Sequence, residues 1–360
     1  MHGQFRILFL YDVAEAIRLD ALRSMLKPGA AEPVTAMPSQ IPQYLKFERP
    51  PVVEPIEPIL LAGGERVGGS TKYYDYGVVS VEFELPLECD WDSLMSQCGR
   101  WIGAPELDNR ASEQLRGALQ RAAKALTRPY EDFLREDYYI LQLGEIAAPD
   151  GKLVTAGELL ASRAREITQL VRGEAVFLSD AERQEVLQST ISYSQTDLLV
   201  VGWSGALVYG GSELAGTTVQ LLEYANTQLL EFRYYDGLLT RLLEDVYGSL
   251  EHKSGLLSAW RLSQEAARLS TIRLDVMELT EKVDNAIKFL SDMFYARLYG
   301  LAAAKVGVPD YRRLVETKLR TAGELYRFMM DQFNQTRSFV LELAVVIILI
   351  VDLAFLFRGK

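Results

Sequence analysis

The stretch MHGQFRILFLYDVAEAIRL, Met1–Leu19, decides how the chain begins to fold. Its apolar run, Ile7 to Tyr11, stops at Asp12. A strand over Gln4–Tyr11 followed by a helix over Val13–Met25, with Ala16, Leu19 and Leu22 on its apolar side, is the reading this pattern predicts. The run is too short for a signal-peptide core and no small-residue cleavage site follows it, so export by that route is not expected.

Working outward from this start, Val52–Leu61 reads as an extended piece, Tyr73–Phe83 as an alternating strand and Tyr138–Ile146 as a last strand. Between them Asp92–Leu126 reads as helix, broken around Gly103–Pro105. The order strand, helix, strand, strand, helix, strand predicts an α+β class, a ferredoxin-like sandwich over residues 1–150. Eight of the thirteen prolines fall between Pro28 and Pro58, which marks residues 27–58 as an insertion of loop character. Residues 151–211 hold a connecting helix, Thr155–Val171, and a hairpin in which Leu198–Trp203 and Ala206–Tyr209 flank Ser204 and Gly205.

Beyond Pro149 the only proline is Pro309, and three long helices are expected: Glu213–Leu250, Leu256–Val306 and Asp310–Phe357. In the second, Leu269, Val276, Val283 and Leu290 recur every seventh residue, and Ile272, Leu279, Ala286 and Met293 repeat three positions later, the pattern of a coiled-coil seam. Gly307, Val308 and Pro309 read as a helix stop and a fresh start. Residues 212–337 thus read as a stalk of antiparallel helices.

The closing run, FVLELAVVIILIVDLAFLF from Phe339 to Phe357, has nineteen residues. As a helix it rises about 28 Å, close to the thickness of bilayer hydrocarbon. Its fifteen Leu, Ile, Val and Phe favour insertion by roughly 5 to 9 kcal/mol, against at most about 3 kcal/mol for each acid, Glu342 and Asp352. The expectation is a single transmembrane helix over residues 338–360, a tail anchor with the bulk of the chain cytoplasmic; the alternatives are a buried core helix or an apolar seam in an oligomer. An acid inside such a helix is by default a functional position; Glu342 reads instead as an interfacial acid that reaches headgroup water, and Asp352 reads as either.

The chain has 360 residues and a net charge of −11, with 49% hydrophobic and 24% charged residues, which is the composition of a packed protein. Nucleic acid is not an expected partner of so acidic a chain. Two Cys and two His leave little for a disulfide scaffold, a zinc site or histidine chemistry, so no catalytic residue, metal ligand or cofactor is assigned. The glycine-rich AGGERVGGSTK, Ala62–Lys72, has Gly69 where a phosphate loop needs its lysine, and reads as a turn. Cys89 and Cys98 read as partly buried thiols and His252 as a surface residue. On the segment Glu223–Asp236, Tyr224, Gln228, Glu231 and Tyr235 share one helical side; it reads either as a contact surface or as a hydrogen-bond network between domains.

The strand Asp75-Tyr76-Gly77-Val78-Val79, the long helical region, and the tail Leu341-Glu342-Leu343 with Asp352 ten residues on resemble the required-for-meiotic-nuclear-division proteins, which carry a YagE-type domain. Leu343 stands where that family has Trp, and Asp352 where it has Glu. The resemblance implies a membrane-associated protein with a C-terminal anchor and supplies no catalytic residues.

The expected function is a non-catalytic, tail-anchored membrane scaffold or tether. Its expected partners are the lipid bilayer, further copies of the chain through the seam and anchor, and an unknown protein. The alternative is a membrane-associated enzyme with converging carboxylates between head and helices. A third reading, an RNA- or ribosome-associated tether, would need open aromatics such as Tyr74 and Tyr76.

Overall fold

The computed structural model describes residues 1–26, 49–148, 151–174, 176, 178–251, 269–281 and 293–358. Most of the expected insertion, His252 and the seam residues Val283, Ala286 and Leu290 lie outside these. The chain divides into two compact units, the first comprising Met1–Tyr234 with Leu279–Tyr311 and the second Tyr235–Glu278 with Arg312–Lys360.

The first unit is built on β1, His2–Ile17, a 16-residue strand. It does not stop at Asp12. Val13 and Ala14 are fully buried in the sheet, and the helix that follows, α1, is only Leu19–Met25. β1 pairs antiparallel with β5 (Val78–Glu88) on one side and with β6 (Leu126–Leu143) on the other. Around this centre stand β2 (Val52–Pro55), β3 (Ile59–Leu60), β4 (Arg66–Tyr73), β7 (Thr190–Ile191), β8 (Leu198–Val201) and β9 (Gly205–Tyr209). They form a nine-stranded sheet of order β2-β4-β5-β1-β6-β9-β8-β7, with β3 beside β4. Only the β6–β9 pairing is parallel among those described. This is a large mixed α/β sheet and corrects the ferredoxin-like sandwich expected over residues 1–150: β9, β8 and β7 extend the sheet past β6, and β9 runs parallel to β6.

Strand parity sets the two faces. Odd-numbered Phe5, Ile7, Phe9 and Tyr11 of β1, with Val79, Val81, Phe83 and Leu85 of β5 and Leu141 and Leu143 of β6, enter one apolar core. That core also takes Leu94, Cys98 and Trp101 of α2 (Trp91–Trp101), Leu107, Ala111 and Leu115 of α3 (Pro105–Ala122), Ile167 and Val171 of α4 (Ala156–Arg172), and Val186 of α5 (Asp180–Gln188). The helical stretch expected over Asp92–Leu126, with its break around Gly103–Pro105, is two helices parted at Ile102–Ala104 and ending at Ala122. A Thr155–Glu158 capping box starts α4 and the left-handed Gly173 ends it.

The opposite face carries the even-numbered residues. Leu8, Leu10, Tyr138, Ile140 and Val208 are buried on it, and so are charged residues. It is covered by the first half of α6 (Ser212–Glu251) and by α8 (Met293–Val306). From Leu221 to Phe232 every α6 residue is buried, so this helix is enclosed all round.

In the second unit, residues 269–278 are helical, within a described stretch over 269–281 that we call α7; the remainder of α6 and most of α9 (Val308–Arg358) complete it. Gly307, at φ 95°, separates α8 from α9. Ile272 and Val276 of the heptad pattern are buried within the single chain.

The membrane expectations are corrected. Among the described residues no helix is long and apolar enough to cross a membrane. A span needs about 20 consecutive apolar residues; α9 is studded with charge from Asp310 to Glu324, and Val345, Val346, Ile348, Leu349 and Ile350 are its exposed apolar residues in the tail. The C-terminal transmembrane helix, the bilayer as a partner through it, and the single-pass location with a cytoplasmic bulk are accordingly withdrawn. Glu342 and Asp352 lie outside the residues whose side chains are described.

Candidate functional site

The polar layer between the even face of the sheet and α6 gathers the ionisable groups of the first unit. At one end each charge meets an opposite one. Lys72 of β4 places Nζ 2.7 Å from Glu82 of β5 and 2.5 Å from Glu223 of α6. Glu82 also meets the Arg6 guanidinium at 2.5 Å, and Arg6 spans to Glu84 at 2.5 Å and Gln142 at 3.2 Å. Burial alone would raise the Glu82 carboxyl, but Lys72 and Arg6 outweigh it and hold it at about 2. Burial likewise opposes the charge on Lys72, yet Glu223 and Glu82 push its ammonium above the usual lysine range. Lys72, Glu82 and Glu223 are all at least nine-tenths buried.

The middle of the layer is a hydrogen-bond network. The residues Asp75, Tyr76 and Gly77 do not form a strand; they make the turn between β4 and β5, closed by Tyr74 N–H donating to the Val78 carbonyl at 2.9 Å. Gly77 sits at φ 99°, and a Cβ there would lie 1.8 Å from the Ala14 carbonyl oxygen, so glycine alone lets the turn reach β1. Tyr76 hydroxyl pairs with Thr227 of α6 at 2.8 Å. Its ring stacks on Tyr74 at 5.4 Å, and Tyr74 is buried. Tyr224, Gln228 and Glu231 are buried, with Tyr299 of α8 donating to Gln228. Tyr235 is buried too, in the second unit. The polar side of α6 is thus internal, and none of the four is an exposed contact.

At the other end stands Asp12. It is 1% exposed, and neither carboxyl oxygen has a hydrogen-bond partner among the described residues. Burial pushes its carboxyl up to about 8. The sheet is irregular here: Asp12 pairs with Leu134 but Ala14 with Pro129, so Val13 faces the four residues Tyr130–Phe133 of β6. Arg128, at φ 47°, absorbs the bend. This bulge brings Tyr130 over Asp12 and against Tyr234 of α6, the two rings stacked at 4.6 Å and 17°. Burial, then Asp12, Tyr234 and Glu231, all raise the Tyr130 phenol, which places both carboxyl groups beside it. Arg233 is held away by its ion pair with Glu136.

Asp12 is a buried carboxyl group beside the half-buried Tyr130, with Glu231 also near that tyrosine, an arrangement that can keep a proton near neutral pH or accept a cation. The sequence reading named Glu231 but missed Asp12, Tyr130, Lys72, Glu82 and Arg6. Their signal was present: Leu8 and Leu10 share the even face of β1 with Arg6 and Asp12, and an apolar residue on a face expected to be solvated argues for a cover. Cys98 is buried and its thiol pushed up to about 12 by burial, with Cys89 half-buried nearby. Among the described residues no group of three or more His, Cys, Asp or Glu could hold a metal ion.

Comparison with known proteins corrects the family. A curated relative, Uncharacterized protein MJ0711 of Methanocaldococcus jannaschii, is 21% identical over 235 residues, 65% of this chain and 70% of that protein. No solved structure matches the chain. The resemblance to the required-for-meiotic-nuclear-division proteins and their YagE-type domain is withdrawn. Its Asp75–Gly77 motif is a hairpin turn of common type, and the family model that does match covers residues 2–215, ending as α6 begins. With more than half of its residues inside that match, the chain belongs to the family described as Uncharacterized protein MJ0711, N-terminal domain.

Proposed function

We propose that the protein is a non-catalytic scaffold or tether in which the α/β unit grips the root of a helix that continues into the second unit. One observation carries this reading. The 40-residue α6 is unbroken; it is enclosed all round from Leu221 to Phe232, where Glu223 meets Lys72, and it runs on beyond Tyr234 into the second unit. A buried ion pair is a weak source of stability but a strict setter of register, because any slip leaves charges unpaired. Oligomerisation through the heptad seam is not part of the proposal, since Ile272 and Val276 are already covered within one chain.

The test is proximity labelling in cells with the full chain. It compares the wild type with a variant carrying a Gly-Pro-Gly insertion after Tyr234, the first unit's integrity being checked by hydrogen exchange in β1. A tether loses its specific neighbours when the helix is interrupted. An unchanged set of neighbours refutes the reading.

A second reading, a carboxylate-based enzyme, is favoured by Asp12, whose buried carboxyl stays protonated near neutral pH. It requires a turnover that Asp12→Asn abolishes while β1 stays folded.

A further inference from the structure

At the Asp12 end of the polar layer, buried polar groups stand without partners. Among the described residues both Asp12 carboxyl oxygens lack a partner, and so does the hydroxyl of Ser80, which is 0% exposed and lies one diagonal step away on the same face of the β1–β5 pair. No cation among the described residues neutralises Asp12: Lys72 and Arg6 are engaged with Glu82, Glu84 and Glu223, and Arg233 with Glu136. The titratable group beside Asp12 is Tyr130 from β6, and Glu231 and Tyr234 from α6 stand around Tyr130 in turn; β5 contributes the neutral Ser80 and Val78 on the same face. Orphaned buried acceptors cost stability unless something donates to them. What the site lacks is a positive group bearing several N–H donors.

We propose that Asp12 and Ser80 form a binding site for a small primary amine, whose ammonium group enters beside the Tyr130–Tyr234 pair and is seated on Asp12. An alkylammonium supplies three donors and one positive charge in a compact head, and aromatic faces at the entrance favour a cation followed by an apolar stem. A divalent metal is the poorer fit, because among the described residues no set of three ligating side chains exists. The inference stands apart from both functional readings, since binding needs neither a partner protein nor turnover.

Proton linkage gives the site a signature that a surface acid lacks. Burial holds the empty Asp12 at about 8, so the ammonium must displace a proton to bind. Apparent affinity should therefore tighten roughly tenfold per pH unit from pH 6 to about 8 and then level off, whereas an ordinary exposed carboxylate would give a flat profile there.

The experiment is calorimetric titration of the full chain with n-butylammonium chloride, with potassium chloride at equal ionic strength as the control. It is repeated from pH 6 to 9 and in buffers of different ionisation enthalpy. The expected result is saturable binding to one site with close to one proton released at pH 6.5, weakened roughly tenfold or more by Asp12→Asn and less by Ser80→Ala. Heats equal to those of potassium chloride, a flat affinity between pH 6 and 8, or unchanged binding by a folded Asp12→Asn variant would each overturn the proposal. The pH profile is read on the wild type, so the outcome does not depend on the variants folding.

Discussion

At the scale of single residues, Asp12 and Glu82 are two buried carboxyl groups on neighbouring strands with opposite fates, and the difference is what each faces. Glu82 looks at Lys72 and Arg6; among the described residues no cation is set against Asp12. Because the folded Asp12 holds its proton up to about 8 while an unfolded aspartate loses it near 4, the folded state binds the extra proton throughout that window. Stability contributed by this residue is thus intact below about pH 4 and declines as pH rises toward 8, a total of about 5 kcal/mol. Asp12→Asn, which cannot ionise, should stabilise the first unit by a few kcal/mol at pH 8 and change it by less than about 1 kcal/mol at pH 4. Urea unfolding at the two pH values measures this, and equal effects at both would contradict the assignment. The reverse holds for Lys72. Lys72→Met leaves Glu82 and Glu223 without their shared cation and should cost about 3–5 kcal/mol, whereas Lys72→Met combined with Glu223→Gln should cost clearly less than the sum of the single changes. A double-mutant cycle by chemical denaturation reads that coupling.

The elements explain why part of the fold was legible in the sequence and part was not. Punctuation by glycine and proline acts locally, and so the interruption between α2 and α3, the β8–β9 hairpin around Ser204 and the stop at Gly307 could be read from neighbouring residues alone. The end of β1 could not. An aspartate after an apolar run ordinarily marks the surface, and only the arrival of α6, some two hundred positions later in the chain, turns Asp12 into an interior residue and lets β1 continue to Ile17. The same distance concealed the ion cluster: Lys72, Glu82 and Arg6 alternate with apolar neighbours as solvent-facing residues would, and their cover is non-local. Gly77 is the element-scale joint, for its turn lies close against β1 at Ala14 and its carbonyl accepts from Val13 N–H. Gly77→Ala should cost about 2 kcal/mol or more, since a left-handed φ and a 1.8 Å overlap must both be relieved by moving the turn off β1. Faster amide exchange at Val13 N–H, which bonds the Gly77 carbonyl at 3.1 Å, would locate the loss there. Unchanged exchange at Val13 would argue that the turn is not what holds β1 in place.

For the whole molecule, the two buried carboxyl groups act on one stability curve from opposite sides. Glu82, held at about 2 against an ordinary value of 4.5, contributes stability that is complete above about pH 4.5 and drains away as pH falls toward 2. Asp12 contributes stability that is complete below about pH 4 and drains away as pH rises toward 8. Their overlap puts the optimum for the first unit at roughly pH 4–5, on the acid side of where most proteins are most stable. The net charge of −11 pushes the same way, because partial protonation of surface acids relieves self-repulsion before the ion cluster is touched. The chain has two units, so a global melting curve would mix them; amide exchange in β1 from Phe5 to Leu10 isolates the first. Protection there should peak near pH 4–5 after correction for the intrinsic exchange rate, and Asp12→Asn should move the peak toward neutrality. A wild-type peak already at pH 7 would mean that Asp12 is ionised in the fold, either opened to water or neutralised by a cation. A saturating amine provides that neutralising charge deliberately, and adding one should shift the wild-type peak upward while leaving the variant where it is.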